Sequence, residues 1–252
     1  APTVQWTPSL HDKIDFFASW QLSNYTWSAS QTPLIRKALA LPLSYNFDNR
    51  TLGASHQNSW RLGYNWVHKF SDSFRFRSGF ASSINNYNFG TDRMSTFALS
   101  TNGRTLNRGV SSGPQMGKDF DLQNEFSGIF HTGPLKHDWL VGSELYQTDY
   151  SAKTYTASLP ALVLTDPVYT GAPGLARLRS NISTQAEAAS IDFQDYISLF
   201  DRFYVLGGGR YDTTTTSSLN KIKNINTSVS ANKFSPRLGV LYAARRTTSL
   251  YF

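Results

Sequence analysis

Several segments of this sequence alternate between apolar and polar residues at every second position. In residues 13–24 one parity carries the apolar side chains Ile14, Phe16, Ala18, Trp20 and Leu22. Because a β-strand sends successive side chains to opposite faces, this pattern predicts a strand with one apolar face. The alternation recurs in residues 59–70, 74–80, 120–130, 137–150, 202–212 and 234–242, and more weakly in 184–199. The chain is therefore predicted to be all-β.

The segment from Phe200 to Asp212 poses the main choice between architectures. Phe203, Val205 and Tyr211 share one parity, and the other parity includes Arg210. In a soluble sandwich the aromatic face would point to a core. In an outer-membrane barrel it would point to lipid, and the charged face would line the lumen.

The connections between these strands are short at one end and long at the other. Short turns are predicted at residues 71–73, 132–134, 200–201 and 245–247, and long loops at 25–58, 86–118, 151–183 and 213–232. A local hairpin is predicted at Asn102-Gly103. Long loops on one side favour an antiparallel up-and-down transmembrane β-barrel of about ten strands in one domain, 1–252.

Composition agrees with the barrel. Aromatic residues make up 14% of the chain, and charged residues make up 16%, against about 25% in ordinary soluble domains. No apolar run approaches the ~20 residues of a membrane-spanning helix. The chain has no cysteine, which excludes disulfides and cysteine-based metal sites. Its net charge of +7 is spread along the sequence, so a nucleic-acid partner is not expected.

Four segments resemble TonB-dependent siderophore receptors of the outer membrane. They are LALPLSYNF (39–47), LKHDWLVGSELYQTDY (135–150), the strand 203–212 ending in GGGRYD, and KFSPRLGVLY (233–242). The resemblance implies an outer-membrane location in a Gram-negative-type bacterium and uptake of ferric siderophores. It also implies three kinds of partner: the ferric siderophore, the TonB–ExbB–ExbD complex reached through a plug domain, and outer-membrane lipid with lipopolysaccharide.

The resemblance is to the barrel alone. We see no plug-like segment and no TonB-contacting segment in the sequence, so we interpret the chain as a partial section of a roughly 22-stranded barrel. The alternative is a small closed barrel of about ten strands.

No catalytic pattern, metal-ligand spacing or cofactor motif appears, so we expect neither an enzyme nor a cofactor. The loops and the lumen are then the expected ligand-binding regions. The candidates are aromatic residues predicted on loops and arginines predicted on the lumen side, because aromatic rings stack on siderophores and arginine pairs with anions: Trp27, Tyr45, Tyr87, Phe89, Tyr155, Tyr169, Arg75, Arg77, Arg210 and Arg237. The alternative is that the rings pack between loops and the arginines pair with acidic neighbours.

Three other classes of protein are alternatives to the receptor. A small porin-like channel would need inward loops that line a charged constriction. A soluble β-rich protein would have short loops at both ends of its strands. An outer-membrane enzyme would need a nucleophile and a base on adjacent strand ends, and the sequence offers no such pair.

Overall fold

The computed structural model describes residues 2–26, 52–90, 94–200, 202–245 and 248–251. These contain eleven β-strands: β1 (Thr3–Trp6), β2 (Asp12–Tyr25), β3 (Ser55–Ser71), β4 (Phe74–Phe89), β5 (Met94–Leu99), β6 (Thr105–Thr132), β7 (Leu135–Val163), β8 (Arg177–Leu199), β9 (Phe203–Asn220), β10 (Ile225–Arg245) and β11 (Thr248–Tyr251). In these residues no helix is long and apolar enough to cross a bilayer.

All strands lie in one antiparallel sheet. Each strand pairs with its sequence neighbour, except that β4 pairs with β6 while β5 folds back onto the far part of β6. The hairpin between β5 and β6 turns at Gly103, whose φ of 67° suits glycine, as the Asn102-Gly103 pair predicts. Within the described residues β1 and β11 are the two ends of the path and do not pair with each other. The all-β up-and-down prediction is confirmed as an open barrel section.

The strands are much longer than the alternation predicts. The strands β6 and β7 have 28 and 29 residues, whereas a tilted strand crosses a bilayer in about 9–11. The predicted loops at 86–118, 151–183 and 213–232 are therefore wrong at their boundaries, since β4, β6, β7, β8, β9 and β10 all continue into them. Most of the predicted loop 25–58 lies outside the described residues. Beyond a bilayer neither face of a strand meets lipid, so the period-2 pattern stops while the backbone ladder continues.

The apolar parity forms one exposed face. Trp20 is 60% exposed, Trp60 51% and Leu238 82%. Rings on adjacent strands stack across this face, with centroids 5.3 Å apart for Trp20–Trp60 and 4.8 Å apart for Phe70–Phe74. A sheet that exposes so many large apolar residues on one side needs an apolar solvent there, and acyl chains supply one.

Aromatic residues concentrate near the short turns. Phe74 stacks on Trp139 with centroids 5.7 Å apart, and Trp66 meets Phe76 edge-on at 5.5 Å. At the other end of the apolar band, Trp20 Nε1 donates a hydrogen bond to Asn58 Oδ1 over 2.8 Å. The wall thus has an aromatic belt at each end of the apolar band, with tryptophan N–H groups that can form hydrogen bonds. These belts are the aromatic girdles expected at the two bilayer interfaces.

The glycine run 207–209 serves close packing inside β9. A Cβ on Gly209 would collide with the ring of Phe234, and a Cβ on Gly208 would lie 2.5 Å from the carbonyl oxygen of Phe193. Gly207 has open space around it. This agrees with the interpretation of the run as a site of close approach in a barrel wall.

The buried apolar side chains lie outside the membrane band. Among the described residues they are Leu106, Val110, Ala152, Leu159, Leu162 and Leu164, five of them near the far ends of β6 and β7 or just beyond. Arg108, 4% exposed, donates to the carbonyl oxygen of Pro160 from Nε (3.1 Å) and Nη2 (2.9 Å). We call residues 105–112 of β6 and residues 155–164, the far part of β7 and the residue after it, the outer extension. It has its own small core.

Candidate ligand-binding lumen wall

The face opposite the exposed aromatic residues is polar, and strand register brings its charges together. Asp192 on β8 lies opposite Arg210 on β9, and Glu144 on β7 lies opposite Gln123 on β6. These residues belong to the parity that points away from Trp20 and Val141. This face is the lumen wall.

One arginine on this wall is held by two carboxylates. Arg210 Nη2 lies 2.6 Å from Glu144 Oε2, and Arg210 Nε lies 2.7 Å from Asp212 Oδ1. Gln123 Nε2 extends the network with bonds of 3.2 Å to Glu144 Oε1 and to Asp121 Oδ2. The guanidinium is thus committed to neighbouring carboxylates.

A second carboxylate node lies beside this network. Asp119 accepts hydrogen bonds from Ser83 Oγ (2.8 Å) and Thr148 Oγ1 (2.9 Å). Asp121 lies on the same face of β6, and its Oδ1 atom is buried without a hydrogen-bond partner among the described residues. Both carboxylates border a cavity of about 520 Å³ in the wall.

A comparison with known proteins gives the family of this chain. The family model described as "TonB dependent receptor-like, beta-barrel" matches residues 6–252. The chain belongs to this family. The protein is located in the outer membrane of a Gram-negative bacterium, as predicted.

Two curated relatives carry the names of siderophore receptors. The ferrioxamine B receptor of Salmonella typhimurium is 28% identical over 141 residues, which is 56% of this chain and 20% of the relative. The ferrichrome outer membrane transporter/phage receptor of Escherichia coli is 24% identical over 281 residues, covering all of this chain and 37% of the relative. The chain thus spans between a fifth and two fifths of these relatives. They are receptors or transporters, not enzymes.

Solved structures agree on the fold. The ferric-catecholate import receptor Fiu of E. coli, in its closed form, matches with a TM-score of 0.79 at 16% identity, over 99% of this chain and 41% of that one. The siderophore receptor PiuA of Acinetobacter baumannii matches with a TM-score of 0.75 at 14% identity, over 99% and 40%. At such identities the likeness concerns the TonB-dependent receptor barrel fold alone.

The aromatic candidates occupy different environments in this barrel. Tyr87 and Phe89 were predicted on a loop, but they lie on β4, where their rings stack 5.9 Å apart. Tyr155 is also on a strand, opposite Ser112. Tyr169 lies in the irregular segment between β7 and β8. Trp27 and Tyr45 lie outside the described residues. Ligand contact by these side chains stays a prediction.

The four arginine candidates all have the lumen-side register, but they differ in their partners. Arg210 has the two carboxylates described above, and Arg75 Nε donates to Ser127 Oγ over 2.9 Å. Arg77 lies opposite Glu125, and Arg237 lies opposite Gly208. The structure does not gather them into one anion-binding cluster. Their contact with ligand also stays a prediction.

Sequence reasoning missed the carboxylates as site candidates. Parity alone places Asp121 and Glu144 on the lumen face, and that signal was present. Parity does not give the strand register, however. Residues 83, 119 and 148 become neighbours only when β4, β6 and β7 are aligned.

Replacing Arg210 by alanine is expected to lower the free energy of unfolding by about 1–2 kcal/mol, since two carboxylates lose a shared partner that is about a third exposed. Urea unfolding of the detergent-folded protein measures this. The matched control is Arg237→Ala, because Arg237 forms no ion pair within the described part of the chain. In a double-mutant cycle, Arg210→Ala should cost less free energy of unfolding when Glu144 is already replaced by glutamine. If the losses of the two single variants simply add in the double variant, the network is contradicted.

Proposed function

We propose that this chain forms part of the barrel wall of an outer-membrane receptor. The receptor takes up ferric siderophores and is energised through the TonB system. The observation that carries the proposal is the family match over residues 6–252. The names of the two curated relatives add support for siderophores as the substrate class.

The geometry supports a receptor wall over a simple pore. Strands as long as β6 and β7 carry backbone well beyond the bilayer and place ordered surface where an incoming solute arrives. The lumen face beneath them carries paired charges and a cavity. A transported solute of this kind is cargo, so no resident cofactor is part of the proposal.

The proposed partners follow from the two faces. The aromatic face with its exposed Trp20 and Phe203 would contact lipid and, in the outer leaflet, lipopolysaccharide. The polar lumen face would contact a plug domain, and through it the receptor would engage TonB, ExbB and ExbD. Nucleic acid is not among the proposed partners.

Deleting the complete gene in an iron-limited host is expected to abolish accumulation of at least one iron-55-labelled ferric siderophore from a panel of hydroxamate, catecholate and citrate complexes. Deleting tonB alone should abolish the same uptake, because transport against a gradient requires coupled energy.

The control is re-expression of the gene, with its outer-membrane level checked by surface labelling. Uptake that persists without tonB would favour the porin-like channel. If the deletion strain accumulates every ferric complex at the rate of the parental strain, the proposal is contradicted.

A further inference from the structure

We infer that the lipid-facing side of this wall binds a second copy of the receptor within the membrane, through polar side chains at the middle of the apolar band. These side chains are Ser78 on β4, Asn124 on β6 and Ser143 on β7, and the strand register places Asn124 opposite both serines. We call the three residues the polar patch. The inference goes beyond the proposed function, because it concerns the side of the wall that faces away from the lumen and holds for any transported solute.

The polar patch lies at the depth of the bilayer middle. Along β6, Asn124 is midway between Lys118, where the strand leaves the bilayer, and Phe130 beside the short turn. Other polar side chains of this face, such as Asn58, lie near an edge of the band, where Asn58 accepts a hydrogen bond from the girdle residue Trp20. Water can complete hydrogen bonding at an edge, whereas the hydrocarbon core supplies neither donors nor acceptors.

Two members of the polar patch have unused hydrogen-bonding groups. The Ser78 hydroxyl lies 3.3 Å from the hydroxyl of Tyr64. Among the residues that the structure describes, neither the Asn124 amide nor the Ser143 hydroxyl forms a hydrogen bond. An amide in hydrocarbon has lost its bonds to water without replacing them, which is unfavourable. Acyl chains cannot replace those bonds, so a protein partner with donors and acceptors at this depth is favoured over lipid.

Large apolar side chains surround the polar patch. The diagonal neighbours on the same three strands are Phe76, Phe80, Leu122, Phe126, Val141 and Leu145. Phe126 and Leu145 are 41% and 50% exposed, so this apolar rim is accessible to a partner. A polar centre inside an apolar rim is typical of binding hot spots, in which the rim seals the central bonds from the surroundings. The small side chains of the two serines let another strand approach closely.

The chemistry of the polar patch favours a copy of itself as the partner. An asparagine side chain has both a carbonyl acceptor and an amide donor. Two copies related by a twofold axis can therefore exchange a reciprocal pair of N–H···O bonds between their Asn124 side chains, as isologous interfaces do. The patch and its rim carry no charge, so two copies do not repel each other. The plug domain proposed above lies on the opposite side of the wall and cannot cover this face.

The first test measures association of the complete receptor in dioleoylphosphatidylcholine vesicles, by energy transfer between donor-labelled and acceptor-labelled copies over a range of protein-to-lipid ratios. We expect a dimer whose dissociation constant rises about tenfold in Asn124→Leu, because both reciprocal bonds are lost. Asn124→Gln keeps the amide and should stay within about threefold of the parental value. The matched control is Ser82→Ala on the same face, since Ser82 Oγ already donates to the backbone oxygen of Asp119 over 3.1 Å. It should also stay within about threefold.

Photo-crosslinking in intact outer membranes locates the contact. The photoreactive residue p-benzoylphenylalanine is placed at the position of Leu145, in the apolar rim, or at the position of Leu238 on β10. Leu238 is 82% exposed and is separated from the rim by β8 and β9, so random collisions would favour it. We expect a crosslinked homodimer from position 145 alone, with a lower yield when Asn124→Leu is added.

The remaining outcomes overturn the inference. Equal crosslinking from both positions would mean random collision, and a receptor that stays monomeric at every protein-to-lipid ratio would mean that lipid alone covers the polar patch. A crosslink from position 145 to a different outer-membrane protein, identified by mass spectrometry, would exclude the second copy as the partner. Heat-modifiable gel mobility reports folding of each variant, and Ser143→Val is the second variant if Asn124→Leu does not fold. None of these measurements uses iron uptake, so the proposed function is tested separately.

Discussion

Replacing Val141 by arginine is expected to lower the free energy of unfolding in lipid vesicles by about 1–3 kcal/mol, because the cost of arginine on the lipid face rises from about 0–1 kcal/mol near an interface to about 2–4 kcal/mol at the bilayer middle. Val141 is 40% exposed on the aromatic face, between Phe126 of β6 and Phe193 of β8. Because this face meets acyl chains, a guanidinium there loses its water without gaining a partner. Urea unfolding of the vesicle-inserted protein, followed by tryptophan fluorescence, gives the value.

The matched control for Val141 is Gln194→Arg at the same height. Gln194 lies opposite Leu140 on the lumen face, where water and carboxylates such as Asp192 can accommodate a cation. We expect a change within about 0.5 kcal/mol there. If the two arginines cost the same, the assignment of the lipid and lumen faces would be contradicted.

Replacing Leu162 by alanine is expected to destabilise the outer extension by about 2–4 kcal/mol. Leu162 is 0% exposed and lies opposite Leu106, which is also fully buried. Removing its side chain leaves a cavity in a small core that has few other apolar groups to close it. The extension should open locally, so amide exchange in residues 105–112 and 155–163 should speed up roughly 30- to 1,000-fold.

The neighbouring residue supplies the control for this substitution. Val163 is 43% exposed, so Val163→Ala should change exchange by less than about threefold. Exchange in the membrane part of β6, residues 120–130, should stay slow in both variants. Equal acceleration there after Leu162→Ala would mean that the extension and the barrel wall unfold as one unit.

The fold was largely predictable because the bilayer imprints a period of two on every strand that crosses it. Phe203 and Val205 against Arg210 are enough to separate an apolar face from a polar one, and the short turns with long loops at the other end favour the up-and-down barrel. The ends of the strands were not predictable in this way. From Lys118 outward to Thr105, strand β6 has left the bilayer, and part of it packs in a small protein core in which Leu106 and Val110 are buried. The alternation that lipid imposes is therefore lost there, and the local sequence does not show which way a side chain points.

The candidate site shows the same division. The sequence marked Arg210 as a lumen residue, and the structure places it there, but its partner Glu144 is 66 positions away. Such a pairing depends on how three strands are aligned, and alignment is set by the sum of many backbone bonds and turn lengths.

The sequence by itself determined the membrane architecture, the two faces and the family resemblance, since each of these is written in the order of residue types along single strands. Only the tertiary structure decided which lumen charges neutralise one another, where a carboxylate oxygen stays unpaired, and that β6 and β7 rise into an extension with its own core. These depend on distances between residues that are remote in the chain, and no local pattern of apolar and polar positions encodes such distances.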